Sequence, residues 1–314
     1  MKLLSASAFI LAFAGTTSGF QQPMPRPSLQ QTATVQKSPV NEGVNSMVAS
    51  SKRQQQTPPS LSAASTATPE SNEDRVLDTE AIAKYAGSIA IQMLLFKGFF
   101  TGVDFLASSA SFEIPFAANF FLFYFFSLKS RVFNPMSNQR PRRDTKEIDG
   151  GGEAGADSTP QRNMPEWTPP GVVFPIMWIL IIGPLRAASS ALLVTNGGAG
   201  YASDAILALM LHLSIGDTWN TINNVERRYG TSMVGVACVW MSAAFAAYSY
   251  GQVDPLAGKL LSLPLVWLTI ASSLIVRTWQ LNPSDNGEKE SILPTKPASQ
   301  EGSITKWAWF EGTD

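Results

Sequence analysis

The chain has 314 residues, a formal net charge of −1, and 45% apolar residues. Such a length holds one or two domains; the balanced charge gives no field for nucleic acid, and no basic cluster is interleaved with aromatics. Cys238 is the sole cysteine and His212 the sole histidine, which excludes an internal disulfide framework, Cys-based metal sites and any site needing two histidines.

Met1–Gly19 places Lys2 before an apolar stretch and ends in small residues, the layout of a secretory signal peptide too short to span a membrane. From Phe20 onward the chain is rich in Ser, Thr, Gln and Pro, and up to Pro69 it sets Arg26, Lys37, Lys52 and Arg53 against the single acid Glu42. That is transit-peptide composition. The pair, with Ser18-Gly19-Phe20 at the junction, resembles the bipartite presequence of algae with secondary plastids, implying a presequence to residue 77 and an integral membrane protein of the plastid. The alternative is a plain signal peptide with a disordered linker, leading to another endomembrane.

The stretch 78–107 is helical in pattern. Lys97 and Asp104 lie seven apart on one face and are costly at a bilayer centre, so it reads equally as an interfacial amphipathic helix or an extra span. Phe112–Leu128 is denser in apolar residues and is the first firm span. A loop, 130–166, carries Arg140, Arg142, Arg143, Lys146 and the flexible Gly150–Gly152 tract.

Then comes Pro165-Glu-Trp-Thr-Pro-Pro-Gly-Val-Val-Phe-Pro-Ile-Met-Trp178, running into apolar residues to Val194. Thr168 is placed to cap the helix, Pro169 and Pro170 to occupy its first turn, and Trp167 to mark the membrane–water boundary. Beyond the turn 195–200, three more spans are expected at Ala202–Ile222, Ser232–Tyr250 and Leu256–Trp279. The tail from Gln280 reads as disordered, except that Trp307–Phe310 can touch a membrane surface. Basic residues fall in alternate loops, as five spans and the positive-inside rule require. If 81–107 also crosses, both termini share a side.

Trp167-Thr-Pro169-Pro170, followed by Phe174-Pro-x-x-Trp178, resembles the signature of the TspO/MBR family (translocator and tryptophan-rich sensory proteins). Trp219…Arg227…Gly230 and Trp267…Ala271…Trp279 keep the spacing of that family's third and fifth helices. The resemblance covers roughly 112–282. It implies an all-α integral membrane fold, a five-transmembrane-helix bundle with an optional extra N-terminal helix. It also implies binding of haem or protoporphyrin among the helices, with no cofactor required, and it admits a homodimer. Two departures stand out: Gly216 takes the place of the family's helix-three Asn, and Asp217 that of a common Trp. Leu274-Ile-Val-Arg277 lacks the Tyr of the animal members' cholesterol pattern, which puts cholesterol binding in question.

The ligand-binding candidates are Trp167, Pro169, Pro170, Phe174, Trp178, Arg186, Asp217, Trp219, Asn220, Trp267 and Ala271. Trp178, Trp219 and Trp267 offer large stacking faces, or serve as packing anchors. Arg186 and Asp217, ionisable groups inside helices, are expected to face the interior with a partner. Either Arg186 holds a porphyrin propionate, or the two pair and fasten two helices. Pro184 is expected to kink its helix. His212 reads as packing before axial haem ligation, Asn220, Asn223 and Asn224 as ligand contacts or a helix end, and Cys238 as filler. Paired carboxylates, a metal cluster and a nucleophile triad are all missing from the pattern, so binding is expected rather than turnover. Membrane lipid and a tetrapyrrole or sterol-like small molecule are the expected partners. A membrane scaffold using the tail, or light-driven porphyrin breakdown, are the alternatives.

Overall fold

Asp78 starts the first helix: its Oδ1 accepts from the Ala81 amide at 3.0 Å, satisfying one of the donors a helix N-terminus leaves open. In the computed structural model, which describes residues 74–110, 113–139, 162–284 and 287–311, that helix, α1 (Thr79–Ala110), runs for 32 residues. The expected signal peptide and nearly all of the transit-like segment, up to residue 73, lie outside the described residues, as does the Arg140–Lys146 stretch. The segment's last residues are a correction: Arg75–Leu77 forms strand β1.

After α1 come α2 (Phe116–Lys129) with a 3₁₀ turn Ser130–Phe133, then α3 (Val173–Ile176), a π-helical segment Met177–Ile182 and α4 (Gly183–Thr195). These are followed by α5 (Asp204–Asn224), α6 (Tyr229–Val253), α7 (Pro255–Ser262), α8 (Pro264–Leu281) and strand β2 (Thr295–Pro297). Four stretches are long and apolar enough to cross a membrane: Thr79–Ser109, Val173–Thr195, Tyr229–Val253 and Pro255–Leu281. The sequence reading left 81–107 open, and its length and hydropathy qualify it as a span. α2, the first firm span of the sequence reading, has only 14 residues and continues into the 3₁₀ turn Ser130–Phe133.

β1 pairs antiparallel with β2, Val76 opposite Lys296. The segments preceding the first helix and following the last therefore meet at one end of the bundle, so the number of passes between them is even. Side-chain contacts mark the alternation. Tyr85 of α1 meets Glu226 beyond α5, and Met136, just past α2, bridges Trp307. Asn163, before α3, binds Asn282 after α8. At the opposite end Asp104 accepts from the Tyr201 and Ala202 amides at 2.7 and 2.8 Å. Asp104 is thus a loop-binding group at a helix end, which removes the objection to α1 as a span, while Lys97 stays exposed.

α2 packs on α4, α4 on α7, α6 on α7, α8 and α5, and α1 on α5. Phenylalanines seal α1 to α2: Phe96 lies 5.7 Å from Phe126, and Phe100 stacks on Phe123 at 5.6 Å. Ser88 and Gln92 turn the polar side of α1 inward, Ser88 Oγ donating to Asn134 Oδ1 at 3.0 Å. That leaves Leu94, Phe105 and Leu106 exposed, as a lipid-facing surface would be.

The tail is a second correction. It was expected to be disordered, yet residues 287–311 fold back over the end of the bundle. Glu290 Oε2 accepts from the Tyr229 and Gly230 amides at 2.6 and 3.1 Å, a carboxylate on the positive end of α6. Ser303 donates to Asp78 at 2.7 Å, and Lys84 reaches Glu311 at 2.7 Å. Trp307 lies against Gly87, so only Trp309 and Phe310 of the aromatic patch present their faces outward.

Beneath the tail sits an ionic cluster. Arg228 Nη2 binds Asp78 Oδ2 at 2.5 Å, with side chains 5% and 0% exposed. Arg228 Nε also lies 3.6 Å from Glu226, itself 4% exposed. Burial would raise the Asp78 carboxyl, but hydrogen bonds from Arg228, Ser303 and the Ala81 amide outweigh it and hold it below the usual carboxylate range. For Glu226, burial wins over the Tyr85 hydrogen bond and the Arg228 charge, and its carboxyl is raised.

Candidate functional site in the helix interior

The Pro-rich entry is a turn, not a cap. Thr168 Oγ1 donates to Pro165 O at 2.5 Å, and the helix begins only at Val173 without a side-chain cap. The expected capping by Thr168 and first-turn placement of Pro169 and Pro170 are corrected accordingly: the prolines enforce the extended approach and delay the helix. Trp167 is 51% exposed and stays out of the interior.

Inside the helix, Pro184 has no N–H, and its ring crowds the carbonyl four residues earlier. The chain absorbs this by widening rather than by a simple kink: Met177–Ile182 is π-helical, and the Gly183 amide reaches back five residues to Trp178 O. Ile179 O then has no donor five residues on, since that residue is Pro184. Tyr124 Oη of α2 donates to it at 2.8 Å. The approach is close, for a Cβ on Gly183 would sit 2.9 Å from the Tyr124 ring.

One turn further, Arg186 is buried at 5% exposure. Its Nη2 lies 2.5 Å from His212 Nε2, and its guanidinium carbon lies 5.3 Å from the centre of the Trp178 ring, within cation–π reach. A guanidinium only donates, so Nε2 accepts and the imidazole proton is on Nδ1. From there it serves Val239 O or Ser242 Oγ, each at 3.1 Å. His212 is therefore neutral, with one nitrogen engaged on each side. The reading of His212 as hydrogen-bonded packing agrees with this geometry, but its pairing with Arg186 went unseen: a lone His and a lone Arg 26 residues apart carry no sequence signal.

Of the two alternatives for Arg186 and Asp217, a contact ion pair is absent among the described residues, although each acts on the other by charge. Asp217 is in contact with Ser130 and near Arg131. Asn220 is drawn the same way, accepting from Arg131 Nη1 at 2.6 Å and from Asn224 at 2.9 Å. Both belong to the join between α5 and the 3₁₀ turn after α2. Asn223, expected beside Asn220 as a ligand contact or helix end, accepts from Ser232 Oγ.

The indoles divide. Trp178 and Trp219 pack on one cluster with Val239, Ala243 and Leu268, drawn from α6 and α8. Trp219 is also an anchor, its Nε1 donating to Ser232 O and Oγ at 3.0 and 2.9 Å. Trp267 is buried, meets Phe174 edge-to-face at 5.8 Å, and its Nε1 has no hydrogen-bond partner. Ala271, one turn on, is partly buried on the same helix. Leu209, Ala243, Ala246, Leu261 and Pro264 close around Arg186 and His212 and leave a crevice too narrow for a water molecule. Pockets for drug-sized ligands run roughly 300–1,000 Å³, so the interior is closed here, and a macrocycle requires the helices to part.

Fold and interior together define an all-helical integral membrane protein whose centre is apolar and indole-rich, with one buried cation. Residues 151–280 match the profile of the TspO/MBR family, and that segment is what the chain has in common with it. Within this region it is similar to "Protein CrtK" of Rhodobacter capsulatus, 27% identical over 131 residues, 41% of this chain and 79% of the relative. It is similar also to the tryptophan-rich sensory protein of Cereibacter sphaeroides, 26% identical over 120 residues, 38% of this chain and 73% of that one. The translocator protein of Homo sapiens is 29% identical over 121 residues, 38% of this chain and 70% of its own. α1 and the tail beyond residue 287 lie outside the matched segment.

Proposed function

We propose that this protein binds a tetrapyrrole, haem or protoporphyrin, or a similar flat hydrophobic ligand among α3, α5, α6 and α8, for transport, sequestration or stress signalling at a plastid membrane. The observation that carries the reading is the convergence of Trp178, from the entry helix, and Trp219, from α5, on one apolar cluster of α6 and α8, with Phe174 of the entry helix against Trp267 of α8. Indole faces stack on flat rings and bury large apolar area. The names of the relatives, a translocator and a sensory protein, fit binding without turnover. The π-helical break beside Trp178 supplies the loosened segment that a closed interior needs in order to open.

The test is a titration of the mature protein in lipid nanodiscs with protoporphyrin IX, read by quenching of tryptophan fluorescence. Saturable quenching is expected, weakened about threefold to tenfold in Trp178→Phe, the range that loss of an aromatic contact implies. A folded protein without saturable quenching refutes the reading.

A further inference from the structure

We infer that Arg186 anchors a carboxylate of the bound ligand, so that the interior selects anionic flat compounds over neutral ones of the same shape; this rests on the ligand-binding reading above. The guanidinium is buried and makes one hydrogen bond, to a neutral imidazole, and no ion pair among the described residues. Asp217 acts on it by charge from a distance without touching it, and a buried cation with no anion in contact is expensive, since its desolvation is not fully repaid. Structural cations in this same chain are treated differently: buried Arg228 has Asp78 at 2.5 Å, and Lys84 has both Glu80 and Glu311.

What surrounds Arg186 looks like a holder for the cation, not a replacement for its anion. His212 accepts from Nη2 alone and is itself fixed by Val239 and Ser242. The Trp178 ring covers one face. The other guanidinium nitrogens make no hydrogen bond among the described residues, and the residue borders the closed crevice between α5, α6 and α8. A carboxylate arriving there would be held bidentately, the geometry that a planar fork of donors matches best. Because Trp178 touches Arg186, a ring stacked on that indole carries an acidic substituent of a few atoms' length to the guanidinium.

The experiment compares protoporphyrin IX with its dimethyl ester, which keeps the macrocycle and removes the charge, on the wild-type protein and on Arg186→Gln in nanodiscs. The wild type is expected to bind the diacid about 10- to 100-fold more tightly than the ester, the range of a charge-assisted pair. In Arg186→Gln that preference disappears while ester binding persists, which shows the site still formed. Equal affinity of the wild type for acid and ester overturns the inference while leaving the ligand-binding reading standing, and this comparison does not depend on the variant folding. A preference that survives in Arg186→Gln also overturns it. Saturable binding of neither compound sinks the ligand-binding reading and this inference with it.

Discussion

Replacing Arg228 by methionine isolates one side of the ion pair that ties the start of α1 to the turn between α5 and α6. The stem keeps its volume, but Asp78, 0% exposed, loses its counter-charge while Ser303 and the Ala81 amide remain bound. Stranding one member of a buried pair costs about 3–5 kcal/mol. At 2–4 °C per kcal/mol for a folded unit of this size, the melting temperature should fall by roughly 6–20 °C. The assay is thermal unfolding of purified protein in detergent, followed by circular dichroism. Asp78 has a folded-state pKa below its unfolded value of about 3.9. The stability it contributes is therefore present above that value and lost as pH falls through the folded one. The deficit of Arg228→Met should then be largest near neutrality and shrink in acid, and Asp78→Asn/Arg228→Met should recover much of it. A fall of less than about 2 °C at neutral pH would refute the assignment of Arg228 as the required counter-ion.

Tyr124→Phe removes the donor to Ile179 O and leaves that carbonyl unpaired on an outer, lipid-facing part of the π-helical segment, where no water serves it, at a cost of about 1–3 kcal/mol, read from the same melts. Gly230→Ala places a Cβ 2.7 Å from Ser291 C and 2.8 Å from Glu290 O; the tail should lift, seen as protease cleavage beyond residue 287 at least tenfold faster, on the order of 1.4 kcal/mol. An unchanged cleavage rate would contradict the capping of α6 by Glu290. Burial raises the Glu226 carboxyl despite Tyr85 and Arg228, so its stabilising share is present below the unfolded value of about 4.3 and lost as pH rises through the folded one. Glu226→Gln should flatten stability across that window in a series of melts against pH.

Much of the architecture was legible in the chain because the bilayer imposes a simple rule on it: spans must be long, apolar and bounded by turns. The runs at 202–222 and 232–250 each correspond to a helix within a few residues, the run at 256–279 is divided by Pro264 into α7 and α8, and the Trp–Pro signature placed the entry helix. The extra helix stayed undecided because hydropathy cannot say where along a span a charge sits; Asp104 proves to lie at the end, bonded to two loop amides. The tail was misread for a related reason. Its order comes from a three-residue strand pair and from bonds spanning more than 200 residues, such as Lys84 to Thr305 and Ser303 to Asp78, and neither leaves a periodic trace.

The candidate site divides the same way. Composition and spacing identified Trp178, Trp219, Trp267 and Arg186 as interior residues, since large aromatics and an isolated charge in apolar helices have few other places to go. Which of them meet was decided only in three dimensions. Asp217 and Asn220 turn to Ser130 and Arg131, and Arg186 is left to His212 and Trp178, because the choice of partner depends on which faces the packed helices present and not on separation along the chain.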